Sequence, residues 1–492
     1  MNVVKWISTV VASALLATTM GFIPIAKAEK EVTHDIKDES IYDLFVDRYF
    51  NSVVENDYNV DARDKNAFAG GDFGGIATKL THIQDMGFTI LSIGSIFSTE
   101  TYDGSAVVDY REIERQFGTA KEFKSLLTEV HKGKMKLMID FPLNNVSKNH
   151  VWATDKANAD WYETTENGRI NWNTNHPDVQ KALINAATEF AKKYDIDGIR
   201  LTNLVDSDTT FLNDMITSLK NINKDLYVIS TDKSDADFDM TVNNETVDIF
   251  QSIFKNVDLD SSKVEQPLAP MINGGAEKPV AVMLDNLNSS RFTFATAGEN
   301  MYPPTRIKVA MAAMFTLPGV PVMTYGTEIA QNGEKAPDSH AVLDFKTKDD
   351  IVSYIGDVQS VRNKSETLRT GDFKLLENKN GFIVFERSSD EEQWIVVVNN
   401  TGSTQHIDLG KDIINGDKEL RGLFENDIVR ANDDGEYRLV VDREIVELYQ
   451  VTEPKGLNIS YMVTLGAVYV AFITFIVLIL RKSRKNSKTK NN

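Results

Sequence analysis

Seven histidines, His34, His82, His131, His150, His176, His340 and His406, are the side chains that titrate nearest neutrality. None stands in a metal-ligand spacing such as His-x-x-x-His. The chain has no cysteine, which excludes disulfides, zinc–thiolate centres, iron–sulfur clusters and cysteine nucleophiles. It also lacks a Gly-rich phosphate loop and a nucleophile elbow. Trp152, Trp161, Tyr162 and Trp172 crowd a polar, turn-rich stretch at 144–175. Such a cluster is either a platform for stacking sugars or the core of a small subdomain. A formal charge of −19 over 492 residues argues against partners with a phosphate backbone, so no nucleic acid is expected.

The elements that would position any site come as short apolar runs. From Ile41 to about Thr324 they are Ile41–Val46, Phe88–Ile93, Lys136–Ile139, Gly198–Leu201, Leu226–Ile229, Phe238–Val242, Val280–Leu284 and Val320–Met323. Between them lie amphipathic stretches such as Ala120–Lys132 and Val179–Lys193, the second with Val179, Leu183, Ala186, Ala187 and Phe190 at helical spacing. Eight strand candidates alternating with helices predict an α/β fold with a parallel sheet. A (β/α)8 barrel fits the count, and a doubly wound sheet is the rival on pattern alone. Stretch 144–175 reads as a subdomain inserted after the third strand. Beyond about Leu368, short runs with Gly, Asn and Asp turns predict a separate antiparallel β domain over 366–451.

The ends speak of a membrane. Residues 1–28 carry an apolar stretch closed by Ala26-Lys27-Ala28, a small-x-small pattern that reads as a secretory signal peptide; an uncleaved N-terminal anchor is the alternative. Near the other end, 459–480 is an uncharged apolar run. At about 1.5 Å per residue it is long enough to cross a bilayer, though a buried core helix has the same composition. A polar tether, 452–458, precedes it. The tail, 481–492, holds Arg481, Lys482, Arg484, Lys485, Lys488 and Lys490, so the C-terminus is expected in the cytoplasm and the N-terminal domains outside. Eight cations of the chain lie in the two terminal segments. The exported part is therefore more acidic than the whole.

Six words of the sequence, in order, carry a resemblance. They are Ile41-Tyr42-Asp43-Leu44-Phe45-Val46-Asp47-Arg48-Tyr49, Phe68-Ala69-Gly70-Gly71-Asp72-Phe73, Asp140 to Asn144, Asp197-Gly198-Ile199-Arg200-Leu201, Leu284-Asp285-Asn286 through Arg291-Phe292, and Phe315 to Pro321 followed by Tyr325-Gly326-Thr327-Glu328. From about residue 40 to 450 the chain resembles the alpha-amylase family of glycoside hydrolases. The resemblance implies a TIM barrel over 40–365, with the 144–175 insertion, and a C-terminal β-sandwich. It also implies chemistry by carboxylates: one attacks the anomeric carbon, one protonates the leaving oxygen and a third grips the sugar.

At the positions that match those three acids this chain carries Thr202, Thr231 and Asn288. A hydroxyl or an amide neither forms the glycosyl ester at a useful rate nor protonates a leaving group at neutral pH. Around them, Asp103-Gly104-Ser105-Ala106, Asn145 and Leu287 stand where the family carries sugar-binding residues. Asp109, Asp140, Arg200, Asp285 and Arg291 remain as remnants of the substrate pocket. Asp206, Asp232 and Asp285 are the carboxylates nearest to replace the lost ones. The resemblance further implies a structural calcium site from Asn51, Asn56, Asp57, Asp72 and the carbonyl of Gly70, an oxygen donor set suited to a hard cation; Val53 at a further matching position offers no ligand. The reading is a cell-surface pseudoenzyme that serves as a scaffold for a membrane or cell-envelope protein. An alpha-glucan receptor and an active hydrolase with relocated acids are the alternatives.

Overall fold

Aliphatic runs of two to seven residues, too short for stable helices and rich in branched side chains, pair into a parallel sheet. The computed structural model describes residues 35–240, 242, 244–272, 278–347, 350–454 and 459–489. The expected signal peptide, 1–28, and residues 455–458 of the tether lie outside the described residues. In chain order the barrel strands are β1 (Ile41–Asp43), β2 (Ile90–Ser92), β3 (Lys136–Pro142), β4 (Gly198–Thr202), β5 (Tyr227–Ser230), β6 (Ala281–Val282) and β7 (Val320–Thr324). They pair in the order β6-β7-β1-β2-β3-β4-β5, every pair parallel. Inside the barrel, Ile41, Ile90, Met138, Ile229, Ala281 and Val322 belong to one buried cluster. The opposite faces pack on helices, among them the amphipathic α1 (Phe73–Asp85), α2 (Ala120–Lys132) and α3 (Pro177–Tyr194) and the almost wholly buried α4 (Pro303–Thr316).

The sixth apolar run, Phe238–Val242, departs from the expected strand. Its described residues form no ladder, although Met240 and Val242 pack into the inner cluster. Asp239 is the run's point of contact with β5, its N–H donating to the Val228 carbonyl at 2.9 Å. Its side chain accepts the Val228 N–H at 2.6 Å and pairs with Lys220 at 2.7 Å. A side chain thus takes a donor at the neighbouring strand, the competition that short acidic residues offer to sheet pairing. Seven strands make the ladder among the described residues, and an irregular segment fills the eighth place.

The insertion after β3 contains a short helix, Val151–Thr154, and a hairpin, Tyr162–Thr164 with Ile170–Trp172. Its aromatic side chains meet one another: Trp152 lies 5.3 Å from Trp172 and 5.4 Å from Tyr110, and His150 lies 4.9 Å from both tryptophans. With Trp172 buried, the cluster is a subdomain core rather than an open stacking platform.

Beyond residue 371 a six-stranded antiparallel sheet faces a two-stranded one, Gln405–Leu409 with Tyr437–Val441. Val384, Ile395, Val397, Leu409, Leu439 and Tyr449 close the sandwich between them. Near the C-terminus, α5 (Ile459–Thr489) contains a 20-residue apolar stretch, Met462–Arg481, long and apolar enough to cross a membrane.

Candidate functional site

A cavity of about 480 Å³ opens at the C-terminal ends of the strands, the end at which barrels of this kind carry their sites. Thr202 at the end of β4, Thr231 just beyond β5 and Asn288 beyond β6 all line it. The structure therefore brings the three expected positions together in one concave space.

Beside Thr202 the dominant feature is an ion-pair clamp. Arg200 and Asp140 are register partners on β4 and β3. Arg200 Nε donates to Asp140 Oδ1 at 2.7 Å and Nη2 to Asp140 Oδ2 at 3.0 Å. The same guanidinium donates to Asp43 on β1, at 2.8 Å from Nη1 and 2.9 Å from Nη2. Burial pushes the Asp140 carboxyl above its ordinary range; Arg200 opposes this and the nearby Asp43 adds to it. Burial disfavours the Arg200 cation, but the two carboxylates outweigh that and hold its pKa above the usual arginine value. Both aspartates are thus spent on one cation. Asp43 was not singled out from the sequence. An aspartate breaking the apolar run Ile41-Tyr42-Asp43-Leu44-Phe45 was the available signal.

Asp285 and Arg291 lie buried beside the cavity and outside its lining. Asp285 accepts the Phe292 N–H at 2.8 Å, and Arg291 donates to the Tyr325 carbonyl at 2.7 Å and to Thr327 at 3.1 Å. They brace the loops after β6 and β7. Asp109 is also outside the lining, bound to Arg111 at 2.8 and 2.9 Å. Leu287 has its carbonyl bound by His340 Nε2 at 2.5 Å, which makes Nδ1 the acceptor for the Tyr102 hydroxyl at 2.8 Å. Burial lowers the pKa of His340 and keeps the ring neutral. Of the replacement carboxylates, Asp232 lines the cavity and accepts the Leu204 N–H at 3.0 Å, while Asp206 does not line it.

Of the residues implied for calcium, Asp72 already has its oxygens engaged by the protein itself. Asp72 Oδ1 accepts from Gly75 N at 2.6 Å and from Ser52 Oγ at 3.2 Å, and Oδ2 accepts from Ser52 N and Val53 N at 3.0 and 2.8 Å. Four donors fill a carboxylate's lone pairs. Asn51 donates its amide to Asp57 at 2.9 Å beside Gly70, and the amide nitrogen of buried Asn56 has no hydrogen-bond partner. Among the described residues no three His, Asp or Glu side chains gather as metal ligands.

Comparison with known proteins agrees with this geometry. The family descriptions "Alpha amylase, catalytic domain" and "Alpha-amylase C-terminal domain" match residues 43–172 and 371–449. An Anoxybacillus alpha-amylase shares the fold with a TM-score of 0.81 and 31% identity, over 86% of this chain and 99% of that one. The alpha-amylase from Geobacillus thermoleovorans, solved with acarbose, gives a TM-score of 0.80 at 31% identity, over 86% and 100% of the two chains. The intracellular maltogenic amylase of Bacillus subtilis (strain 168) is 26% identical over 391 residues, 73% of this chain and 66% of that protein. The chain thus spans just under two thirds of that relative's length.

Proposed function

The chain belongs to the alpha-amylase family of glycoside hydrolases, and on that premise we infer that it is a non-hydrolytic member, a pseudoenzyme anchored in the cell membrane that serves as a scaffold for another membrane or cell-envelope protein. One observation carries this reading: Thr202, Thr231 and Asn288 face the cavity where three acids are needed. Glycoside hydrolysis takes two carboxyl groups flanking the scissile bond, and the general acid alone contributes about 10²–10⁴-fold. Asp43 and Asp140 are held by Arg200, and Asp285 serves the backbone at Phe292. The apolar stretch of α5, followed in sequence by basic residues, supports a single crossing with the C-terminus inside and the two domains outside. A barrel that keeps its fold after losing its acids is maintained for its surface or for what its cavity retains. An alpha-glucan receptor is the alternative reading.

The test uses the full-length chain in nanodiscs with starch, maltodextrins and aryl glucosides. The expected result is no turnover above buffer, together with a discrete protein partner when intact cells are crosslinked. Turnover abolished by Asp232→Asn would overturn the pseudoenzyme reading in favour of a relocated acid. Repeated crosslinking without a partner, with maltodextrin bound and left intact, would replace the scaffold by the receptor.

A further inference from the structure

The cavity at the strand ends has an electrostatic character that the loss of the acids does not explain. Among its lining side chains are five carboxylates, Asp43, Asp103, Asp140, Asp232 and Asp248, and a single cation, Arg200. Four of the five N–H donors of Arg200 are already taken by Asp43 and Asp140. Arg169 touches the edge through Ser105 and the Asn145 carbonyl without joining the lining. Asp103 Oδ1 accepts from Thr101 and Ser105, and Asp232 Oδ2 accepts from Leu204 N. Among the described residues the other oxygen of each has no hydrogen bond. A concave site lined by one sign of charge focuses its field on the space inside and concentrates the opposite charge there.

A second, independent feature points inward. Ser95 lines the same cavity, is 6% exposed, and its hydroxyl has no hydrogen-bond partner. A buried hydroxyl left without a partner costs free energy that a bound polar group would recover. Neutral hydroxyls and amides complete the rim, namely Thr202, Thr231, Asn286, Asn288 and Ser289, groups that both donate to and accept from the hydroxyls of a sugar ring. A stacking face is what the cavity lacks. Phe45 is the one aromatic side chain in the lining, and its ring already meets Tyr102, Tyr325 and His340 edge-on.

We propose that this cavity binds an amino sugar, with the ammonium group against Asp103 and Asp232 and the ring hydroxyls on the amide and hydroxyl rim. The volume lies within the roughly 300–1,000 Å³ of sites that hold ligands of this size. The proposal rests on the non-hydrolytic reading, because a ligand that is cleaved would not remain bound.

Calorimetry on the full-length chain in nanodiscs tests it with four probes: a glucosamine trimer, its fully N-acetylated form, maltotriose and spermidine. The glucosamine trimer should bind at least about tenfold more tightly than the other three, the size of one charge-assisted contact. Asp103→Asn and Asp232→Asn should each weaken it by about tenfold with an unchanged melting temperature, and Ser95→Ala should weaken it by a smaller factor. Equal binding of the acetylated trimer would overturn the charge selection. Equal binding of spermidine would overturn the sugar assignment, and no binding at all would overturn the site. Chromatography of the recovered trimers separates the two readings: cleavage counts against the non-hydrolytic reading, and an intact, unbound trimer counts against this one.

Discussion

Arg200 ties three barrel strands together through two aspartates and is itself 6% exposed. Removing one partner of a buried ion pair leaves an uncompensated charge and costs about 3–5 kcal/mol. Arg200→Gln leaves Asp43 and Asp140 facing each other across the clamp. The variant should lose stability of that order in urea unfolding at neutral pH. The sign of its pH dependence follows from Asp140, whose folded pKa is raised by burial and by Asp43. A raised acid binds its proton more tightly in the folded state, so its contribution is present at low pH and is lost as pH rises through the folded pKa. Without the guanidinium that raising grows, and the deficit of the variant should narrow as the solution is acidified. A deficit that widens instead would mean that the clamp is not the source of the loss. The partners of Arg200 were only half legible in the sequence. Asp140 ends a recognisable strand word, whereas Asp43 sits inside an apolar run, and only the closure of the barrel brings β1 against the reach of β4. That Thr202, Thr231 and Asn288 would line one cavity was legible because neighbouring words kept their order.

At the scale of elements, the start of α1 decides what the loop 51–72 does. Asp72 caps the helix through Gly75 N and also holds Ser52 N and Val53 N. An N-cap aspartate changed to alanine costs about 0.5–2 kcal/mol, and here two loop amides lose their acceptor as well. Asp72→Ala should therefore lower stability by about 2 kcal/mol or more, and excess chelator should leave the melting temperature of the parent chain where added calcium leaves it. A chelator-dependent drop abolished by Asp72→Ala would restore the cation site. Composition conveys which side chains carry oxygen. It does not convey that Val53 would present its N–H to Asp72 and fill the place of a ligand. The sixth run has the same lesson. Its residues Phe238, Met240 and Val242 do reach buried positions, but the Asp239 side chain takes the Val228 N–H. In the sandwich, Gln405–Leu409 alternates half-exposed and exposed residues up to Leu409, so it lacks the apolar run by which Trp394–Asn399 was recognised.

For the whole molecule, the question is whether barrel and sandwich stand as one body. Both were legible as separate patterns, periodic runs before residue 366 and turn-rich strands after it, but nothing in either pattern describes their joint. The joint combines an apolar face, with Phe385, Val396, Val398 and Leu448 in one buried cluster with Ile307, Met311 and Phe315 of α4, and buried polar groups with distant partners. Arg387 on the strand Phe382–Ser388 is 1% exposed and donates to the carbonyls of Thr316 at the end of α4, Leu368 and Gly371, at 2.7, 3.0 and 3.0 Å. Burial lowers its pKa to about 10, which leaves the cation intact at neutral pH. Asn400 adds bonds to the Ile253 and Asn256 carbonyls at 2.8 and 3.0 Å, and Arg306 on α4 reaches the same amide. Cutting one such staple leaves several buried acceptors unpaired, each costing about 1–3 kcal/mol. The parent chain should unfold its two domains in a single transition, followed by hydrogen exchange in both β7 and the strand Gln393–Asn399. Arg387→Met should separate that transition into two, with the sandwich opening first because the seven-stranded barrel retains its own clamp at Arg200. Two transitions already present in the parent chain, unmoved by the substitution, would mean that the domains are joined only by the chain and that a partner can engage either one alone.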